Sequence, residues 1–207
     1  ARANDIAMEI EAALAFGTGH HGTTRGCLTM LDGALTRRRP RRILDVGTGT
    51  GCIAITLALE RPRAQVTALD VSPDALALAR TNATALGATN VRCVESNWFA
   101  ALDASEQFGL IVSNPPYVAP GDAHLTQGGL RFEPAVALAD AVDGLESYRQ
   151  LAAGTHRHLM PGGWLIVEHG YDQGESVPSL LRAAAFADVA LHRDLAGLPR
   201  VTTARHP

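Results

Sequence analysis

From residue 42 onward the chain alternates between short apolar runs rich in branched residues and longer stretches whose apolar positions recur three and four apart. The runs at Arg42–Val46, Gln65–Val71, Val91–Glu95, Leu110–Ser113 and Trp164–Glu168 predict strands. Helical spacing occupies Cys52–Glu60, Pro73–Leu86 and Glu146–Leu159, and this alternation predicts a parallel sheet with helices on both faces. The second helix has the clearest start, with Ser72 as N-cap, Pro73 in the first turn and Asp74 near the positive end of the dipole. Gly87 suits its end. After a helix around Ser176–Ala185, the runs Asp188–Arg193 and Arg200–Arg205, joined through Gly197-Leu198-Pro199, predict a terminal antiparallel hairpin. Pro120–Asp143 lacks periodicity and follows a strand end, which predicts a functional loop.

A length of 207 residues suits one domain, with residues 1–41 as an N-terminal segment and 42–207 as the core. The 46% hydrophobic and 19% charged content is that of a packed protein, and no apolar run approaches the ~20 residues of a membrane helix. A net charge of −3 provides no global basic field, so a nucleic-acid substrate gains nothing from electrostatics. All 18 basic residues are arginine, and the run Arg37-Arg38-Arg39-Pro40-Arg41-Arg42 reads as a solvated connector before a buried strand. Cys27, Cys52 and Cys93 are odd in number and far apart, fitting neither disulfides nor a metal cluster, so a reducing cytoplasmic setting is expected. No signal-peptide pattern opens the chain.

The loop Asp45-Val46-Gly47-Thr48-Gly49-Thr50-Gly51 follows the first strand and opens a helix. Glycines let the backbone approach a ligand, and the N–H groups of the helix start attract a negative group. The Gly-x-Gly-x-Gly spacing departs from the dinucleotide fingerprint, and Asp70 ends the second strand, where a carboxylate can accept both ribose hydroxyls. Together they favour a nucleoside with a carboxylate end, such as S-adenosylmethionine. Asn97 and Trp98 follow the third strand at the same sheet edge, where the tryptophan can pack on adenine.

After the fourth strand comes Asn114-Pro115-Pro116-Tyr117, a rigid turn because two prolines cannot continue a ladder. The Asn114 side-chain oxygen and the Pro115 carbonyl can accept from an NH2 group, while Tyr117 stacks on the planar group that bears it. An amide nitrogen is a poor nucleophile, so positioning and electrostatic support must provide most of the acceleration.

From about Arg42 to the C-terminus the chain resembles the protein-glutamine methyltransferases that modify the Gly-Gly-Gln motif of peptide-chain release factors. The segments that carry this are Asp45 to Ala54, Asp70 to Leu76, Asn114 to Tyr117, Arg131-Phe132-Glu133-Pro134 and Glu168-His169-Gly170, the last two being the more specific. The resemblance implies an α/β fold: a seven-stranded, mostly parallel, doubly wound sheet of the class I (Rossmann-like) S-adenosylmethionine-dependent methyltransferase type, with a C-terminal antiparallel hairpin. It implies cofactor contacts at Gly47, Thr48, Gly49, Thr50, Gly51, Asp70, Asn97, Trp98 and Asn114, with S-adenosylhomocysteine as product. It implies substrate contacts through Asn114, Pro115, Pro116 and Tyr117, with Asn114, Pro115 and Tyr117 catalytic and a release factor as partner. Asn97 departs from the acidic residue usual before this tryptophan.

The family's helical docking domain has no counterpart here. Instead Ala15 to Thr24 resembles the segment before the fold in methyltransferases of a large-subunit ribosomal protein. There the matching stretch covers the cofactor, which implies contacts at Phe16 and Thr24. A chimaera or designed recombinant accounts for the two likenesses, with native mixing as the alternative. His20 and His21 read as part of this glycine-rich cover rather than as metal ligands. Two other readings stay open: a cofactor-binding scaffold with little turnover, because remote binding energy is missing, and a nucleic-acid adenine methyltransferase, because Asn-Pro-Pro-Tyr also suits a flipped base. A ribosomal-protein lysine methyltransferase rests on the N-terminal segment alone.

Overall fold

The computed structural model describes residues 40–117, 143–194 and 196–207. Seven strands, β1 (Arg42–Val46), β2 (Gln65–Asp70), β3 (Val91–Glu95), β4 (Phe108–Ser113), β5 (Leu159–Glu168), β6 (Ala187–Arg193) and β7 (Pro199–Arg205), form one sheet in the order β3-β2-β1-β4-β5-β7-β6. Strands β1 to β5 are parallel, and β7 inserts antiparallel between β5 and β6. The helices are α1 (Cys52–Glu60), α2 (Pro73–Ala85), α3 (Glu146–His158) and α4 (Ser176–Ala183), with a 3-10 turn at Tyr171–Gln173.

Neighbouring side chains of a strand serve opposite faces, and here both faces are covered. Ile43, Leu110, Val112 and Ile166 pack with Ile53, Leu57 and Ala58 of α1 and Ala83 of α2. Leu44, Ile111, Leu165 and Val167 pack with Tyr148 and Leu151 of α3 and Val177 and Leu181 of α4. Two-sided burial is why β1 after Arg42 reads as an apolar run in which Asp45 is the exception.

Helix α2 begins and ends as its local chemistry dictates. Ser72 Oγ accepts from the Ala75 N–H at 3.3 Å, with Pro73 at the first helical position. At the other end Gly87 takes φ +70, and the Ala88 and Gly87 N–H groups donate to the carbonyls of Ala83 (2.9 Å) and Thr84 (3.2 Å). These are the two bonds of a Schellman closure, which makes Leu86 a cap rather than part of the helix.

Two strands are longer than expected by more than one residue. Strand β4 starts at Phe108, which is fully buried. Strand β5 reaches back to Leu159 across a register irregularity: Phe108 pairs with Leu159, but Leu110 pairs with Trp164. The expected start at Trp164 marks where the continuous ladder begins, since Pro161-Gly162-Gly163 reads as a breaker and only pairing with neighbours makes it strand. The stretch Pro120–Asp143, except Asp143, lies outside the described residues.

Candidate functional site

The C-terminal tips of β1 to β4 converge on one sheet edge, where ligands of open α/β sheets bind. Strand β1 runs into the loop Gly47 to Gly51, whose three glycines have φ of +72, +56 and +83. At Gly51 space as well as backbone demands glycine: a Cβ would lie 2.9 Å from Ile55 Cδ1 and 3.1 Å from Ala79 Cβ. The Gly47 and Thr48 N–H groups donate to the Leu69 carbonyl at 2.9 and 2.8 Å, and the Gly49 N–H donates to Asp70 Oδ2 at 2.8 Å. Asp70 Oδ1 accepts from the Ser72 N–H at 2.9 Å. Each Asp70 oxygen carries one of these backbone bonds and has a second lone pair, and the residue is half-exposed. The carboxylate is thereby aimed from the tip of β2 across the glycine loop.

The other tips are tied in by short bonds. The Ser96 N–H donates to the Asp70 carbonyl at 2.9 Å, and Ser96 Oγ donates to the Trp98 carbonyl at 2.8 Å while accepting from the Ala101 N–H at 3.1 Å. This turn holds Trp98 at φ +53, a left-handed conformation rare for a bulky residue and a cost that a functional placement can explain. Trp98 is half-buried against the core on the α3–α4 face of the sheet, as is Tyr117, whereas Asn97 is exposed. Ser113 Oγ donates to the Val46 carbonyl at 2.7 Å, locking the end of β4 to the end of β1.

Beyond Ser113 the chain leaves the sheet as Asn114 to Tyr117, with Pro115 buried. Asn114 Oδ1 is buried and has no hydrogen-bond partner among the described residues. A buried amide oxygen left without a donor costs free energy, which makes this oxygen, one residue beyond the Ser113–Val46 pair, a candidate acceptor. The Tyr117 carbonyl accepts from Gln173 Nε2 at 3.2 Å.

Two features of the site escaped the reading of the sequence. Asp45 is 1% exposed; Thr48 Oγ1 and the Ala54 N–H both donate to its Oδ2, at 2.7 and 3.1 Å, and its Oδ1 has no partner among the described residues. Burial pushes its carboxyl up to about 7, against those two hydrogen bonds and with a smaller push from Asp70. A charged residue within an apolar strand was its one sequence signal. Gln173 had none, because its partners are 29 and 56 positions away. Neighbouring Cys52 is no nucleophile, since burial pushes its thiol up to about 11.

Next to the turn, the specific segment Glu168-His169-Gly170 is entirely buried. His169 Nδ1 lies 2.9 Å from the Gly170 carbonyl and Nε2 lies 2.9 Å from Thr202 Oγ1, so the proton sits on Nδ1 and the threonine hydroxyl donates to Nε2. Burial lowers its pKa, which keeps the ring neutral. Phe16, Thr24, His20, His21, Arg131 and Glu133 lie outside the described residues. Among the described residues no cluster of three or more His, Cys, Asp or Glu suits a metal, and no helix is long and apolar enough to cross a membrane.

Comparison with known proteins bears on this edge. The family model for Ribosomal protein L11 methyltransferase (PrmA) matches residues 1–115, running well past residue 41, so that likeness overlaps the catalytic core rather than stopping at a junction. The chain is 52% identical over 182 residues to a release factor glutamine methyltransferase of Xylella fastidiosa, covering 86% of this chain and 66% of that protein. To the one from Bordetella pertussis it is 51% identical over 168 residues, covering 81% of this chain and 62% of the relative. The chain thus spans under two thirds of the length of either relative. Among solved structures, a 16S rRNA methyltransferase of T. thermophilus in complex with AdoMet and guanosine superposes with a TM-score of 0.68 at 20% identity, covering 93% of this chain and 45% of that one. The sheet, mostly parallel with its antiparallel terminal hairpin, is that of the class I methyltransferases. The chain belongs to the methyltransferase family that the L11 model describes and, over most of its length, is similar to the release factor glutamine methyltransferases.

Proposed function

We propose that the protein methylates the side-chain amide nitrogen of a glutamine, that of the Gly-Gly-Gln motif of a peptide-chain release factor, using S-adenosylmethionine. The observation that carries this is Asn114 Oδ1, buried and without a partner among the described residues, at the edge where the glycine loop and Asp70 meet. The names of relatives about half identical in sequence support the choice of substrate. The cytoplasm, the compartment of translation, is the proposed place of action, and the proposed partner is protein rather than nucleic acid.

The residues at the edge suit the cofactor. Gly47 leaves open space against its backbone, the free lone pairs of Asp70 suit two ribose hydroxyls, and Trp98 with Asn97 suits the adenine. When bound, S-adenosylmethionine would supply a methyl group on a cationic sulfur and be left as S-adenosylhomocysteine, with one N–H proton of the methylated amide released to solvent. The chain's own part is positioning. Asn114 Oδ1 and the Pro115 carbonyl accept the two N–H groups of the glutamine amide, and Pro116 keeps that acceptor pair rigid. The Tyr117 ring covers the amide plane, excluding water from a nitrogen that is a weak nucleophile.

Asp70→Ala is expected to weaken S-adenosylmethionine binding about a hundredfold, since charge-assisted hydrogen bonds to the ribose contribute about 1.5–3 kcal/mol each. Isothermal titration measures it, and affinity equal to the parent protein's would remove Asp70 from the ribose site. The function itself is tested by mass spectrometry of a purified release factor incubated with the protein and S-adenosylmethionine. The reading expects the Gly-Gly-Gln peptide to gain the mass of one methyl group. No gain, with cofactor binding confirmed in parallel, would overturn it and leave a binding scaffold.

A further inference from the structure

Gln173 ends the 3-10 turn after β5 and is buried, yet its side-chain amide is engaged at both ends. Nε2 donates to the Gly144 carbonyl at 2.8 Å and to the Tyr117 carbonyl at 3.2 Å. Oε1 accepts from the Gly170 N–H at 3.0 Å and lies 3.3 Å from the hydroxyl of Tyr148, a fully buried residue of α3 that also reaches the Glu168 carbonyl at 3.0 Å. A primary amide has two N–H donors and two acceptor lone pairs; here both donors and one lone pair have a partner, and the second lone pair shares the single Tyr148 hydroxyl proton with the Glu168 carbonyl. The approach is close at Gly170, where a Cβ would lie 3.3 Å from Gln173 Oε1 and would push aside the exposed Asp172 carboxylate, 2.6 Å away.

The two ends of the amide do different work. Its oxygen is anchored to the rigid part of the molecule, the end of β5 and the core of α3. Its nitrogen holds the last residue of the Asn-Pro-Pro-Tyr turn and, 27 positions further along, Gly144 before α3. Sequence-distant carbonyls are thus fixed by one planar group on the scaffold, and the two prolines transmit that constraint to Asn114 because they remove backbone freedom between Tyr117 and the acceptor oxygen.

We infer that Gln173 is a positioning residue for the methyl transfer: through the Tyr117 carbonyl it sets the register of the Asn114–Tyr117 turn against the cofactor edge. The inference rests on the proposed glutamine methylation. Gln173→Glu is the discriminating variant, because it retains the oxygen that Gly170 and Tyr148 face and replaces the donor of two hydrogen bonds with an acceptor that repels both carbonyls.

The experiment compares the parent chain with Gln173→Glu for kcat and KM on a purified release factor, for S-adenosylmethionine affinity by titration, and for the pH dependence of their activity ratio. The expected result is a kcat lower by about tenfold to a hundredfold with cofactor affinity unchanged. The deficit should shrink on acidification, because the introduced carboxyl, once protonated, regains one donor. The titratable groups around it are Glu168, His169, Asp172 and Tyr148; they are common to both proteins, so the ratio reports the introduced carboxyl together with its coupling to them. Equal kcat at every pH would overturn the inference, and so would parallel loss of kcat and cofactor affinity with no recovery in acid, the behaviour of a purely structural residue. If the variant does not fold, Tyr148→Phe, which removes the hydroxyl facing Gln173 Oε1 together with its bond to the Glu168 carbonyl, is expected to lower kcat a few-fold with cofactor affinity unchanged, and an unchanged kcat would overturn it. A parent chain that binds cofactor but leaves the release factor unmodified would instead defeat the proposed function. In that event Gln173 fails as well if hydrogen-exchange protection of the Asn114–Tyr117 segment is the same in parent and Gln173→Glu.

Discussion

Replacing Asn114 with alanine is expected to lower methyl transfer by about 100- to 1,000-fold, the cost of removing a preorganised hydrogen-bonding group from a reacting centre, while S-adenosylmethionine affinity stays close to that of the parent chain. The asymmetry follows from where the side chain stands. In the proposed function Asp70, at the end of β2, is the residue that would hold the cofactor's ribose, whereas Asn114 follows the end of β4 with an oxygen that no described residue satisfies. Removing that oxygen breaks no hydrogen bond among the described residues and deprives the substrate amide of an acceptor, so folding should not suffer. Single-turnover methylation beside cofactor titration separates the two effects. Activity preserved in the variant would sink the role assigned to Asn114, and a matching collapse of cofactor affinity would reassign it to cofactor binding.

The second large effect concerns pH and Asp45. Burial raises its carboxyl from the ordinary 3.8 to about 7 in the folded chain. Between those values the folded protein keeps a proton that the unfolded chain has released. Its contribution to stability is therefore fully present below about pH 4 and is lost progressively as pH rises through about 7, beyond which the penalty is constant. At about 1.4 kcal/mol per unit the whole window is worth at most about 4 kcal/mol. Asp45→Asn should remove that slope: the amide oxygen can replace Oδ2 and accept from both Thr48 and Ala54, as the neutral acid does. Urea denaturation of both proteins at several pH values tests it, with the difference between them cancelling the opposite contributions of His169, His192 and His206, whose pKa values are lowered. The variant should gain on the parent as pH rises from about 5 to 8. A constant difference would mean that Asp45 is ionised in the fold across this range.

Much of the molecule was legible before any coordinates. Signals that act within a few residues were read correctly because their physics is local. The N-cap of Ser72, the first-turn proline and the left-handed Gly87 bound α2 to within one residue, and the three glycines after β1 mark a turn that few other residues can make. The apolar runs of β1 and β4 announce a sheet covered on both faces. Boundaries failed where pairing overrode composition, as at Leu159–Gly163, where a proline and two glycines became strand only against β4 and the C-terminal residues.

Chemistry divides in the same way. The sequence by itself determined the residue types at the site, the glycine loop, Asp70 and Asn-Pro-Pro-Tyr, because each is a contiguous stretch at the end of a strand whose periodicity is visible. Only the tertiary structure decided what their atoms face: that Asp70 is aimed by Gly49, that Asn114 Oδ1 is buried without a described partner, that Asp45 is sealed from water, and that Gln173 joins Gly144 and Tyr117. Burial and hydrogen-bond satisfaction are properties of the assembled neighbours, contributed by segments tens of residues apart, and no local pattern carries them.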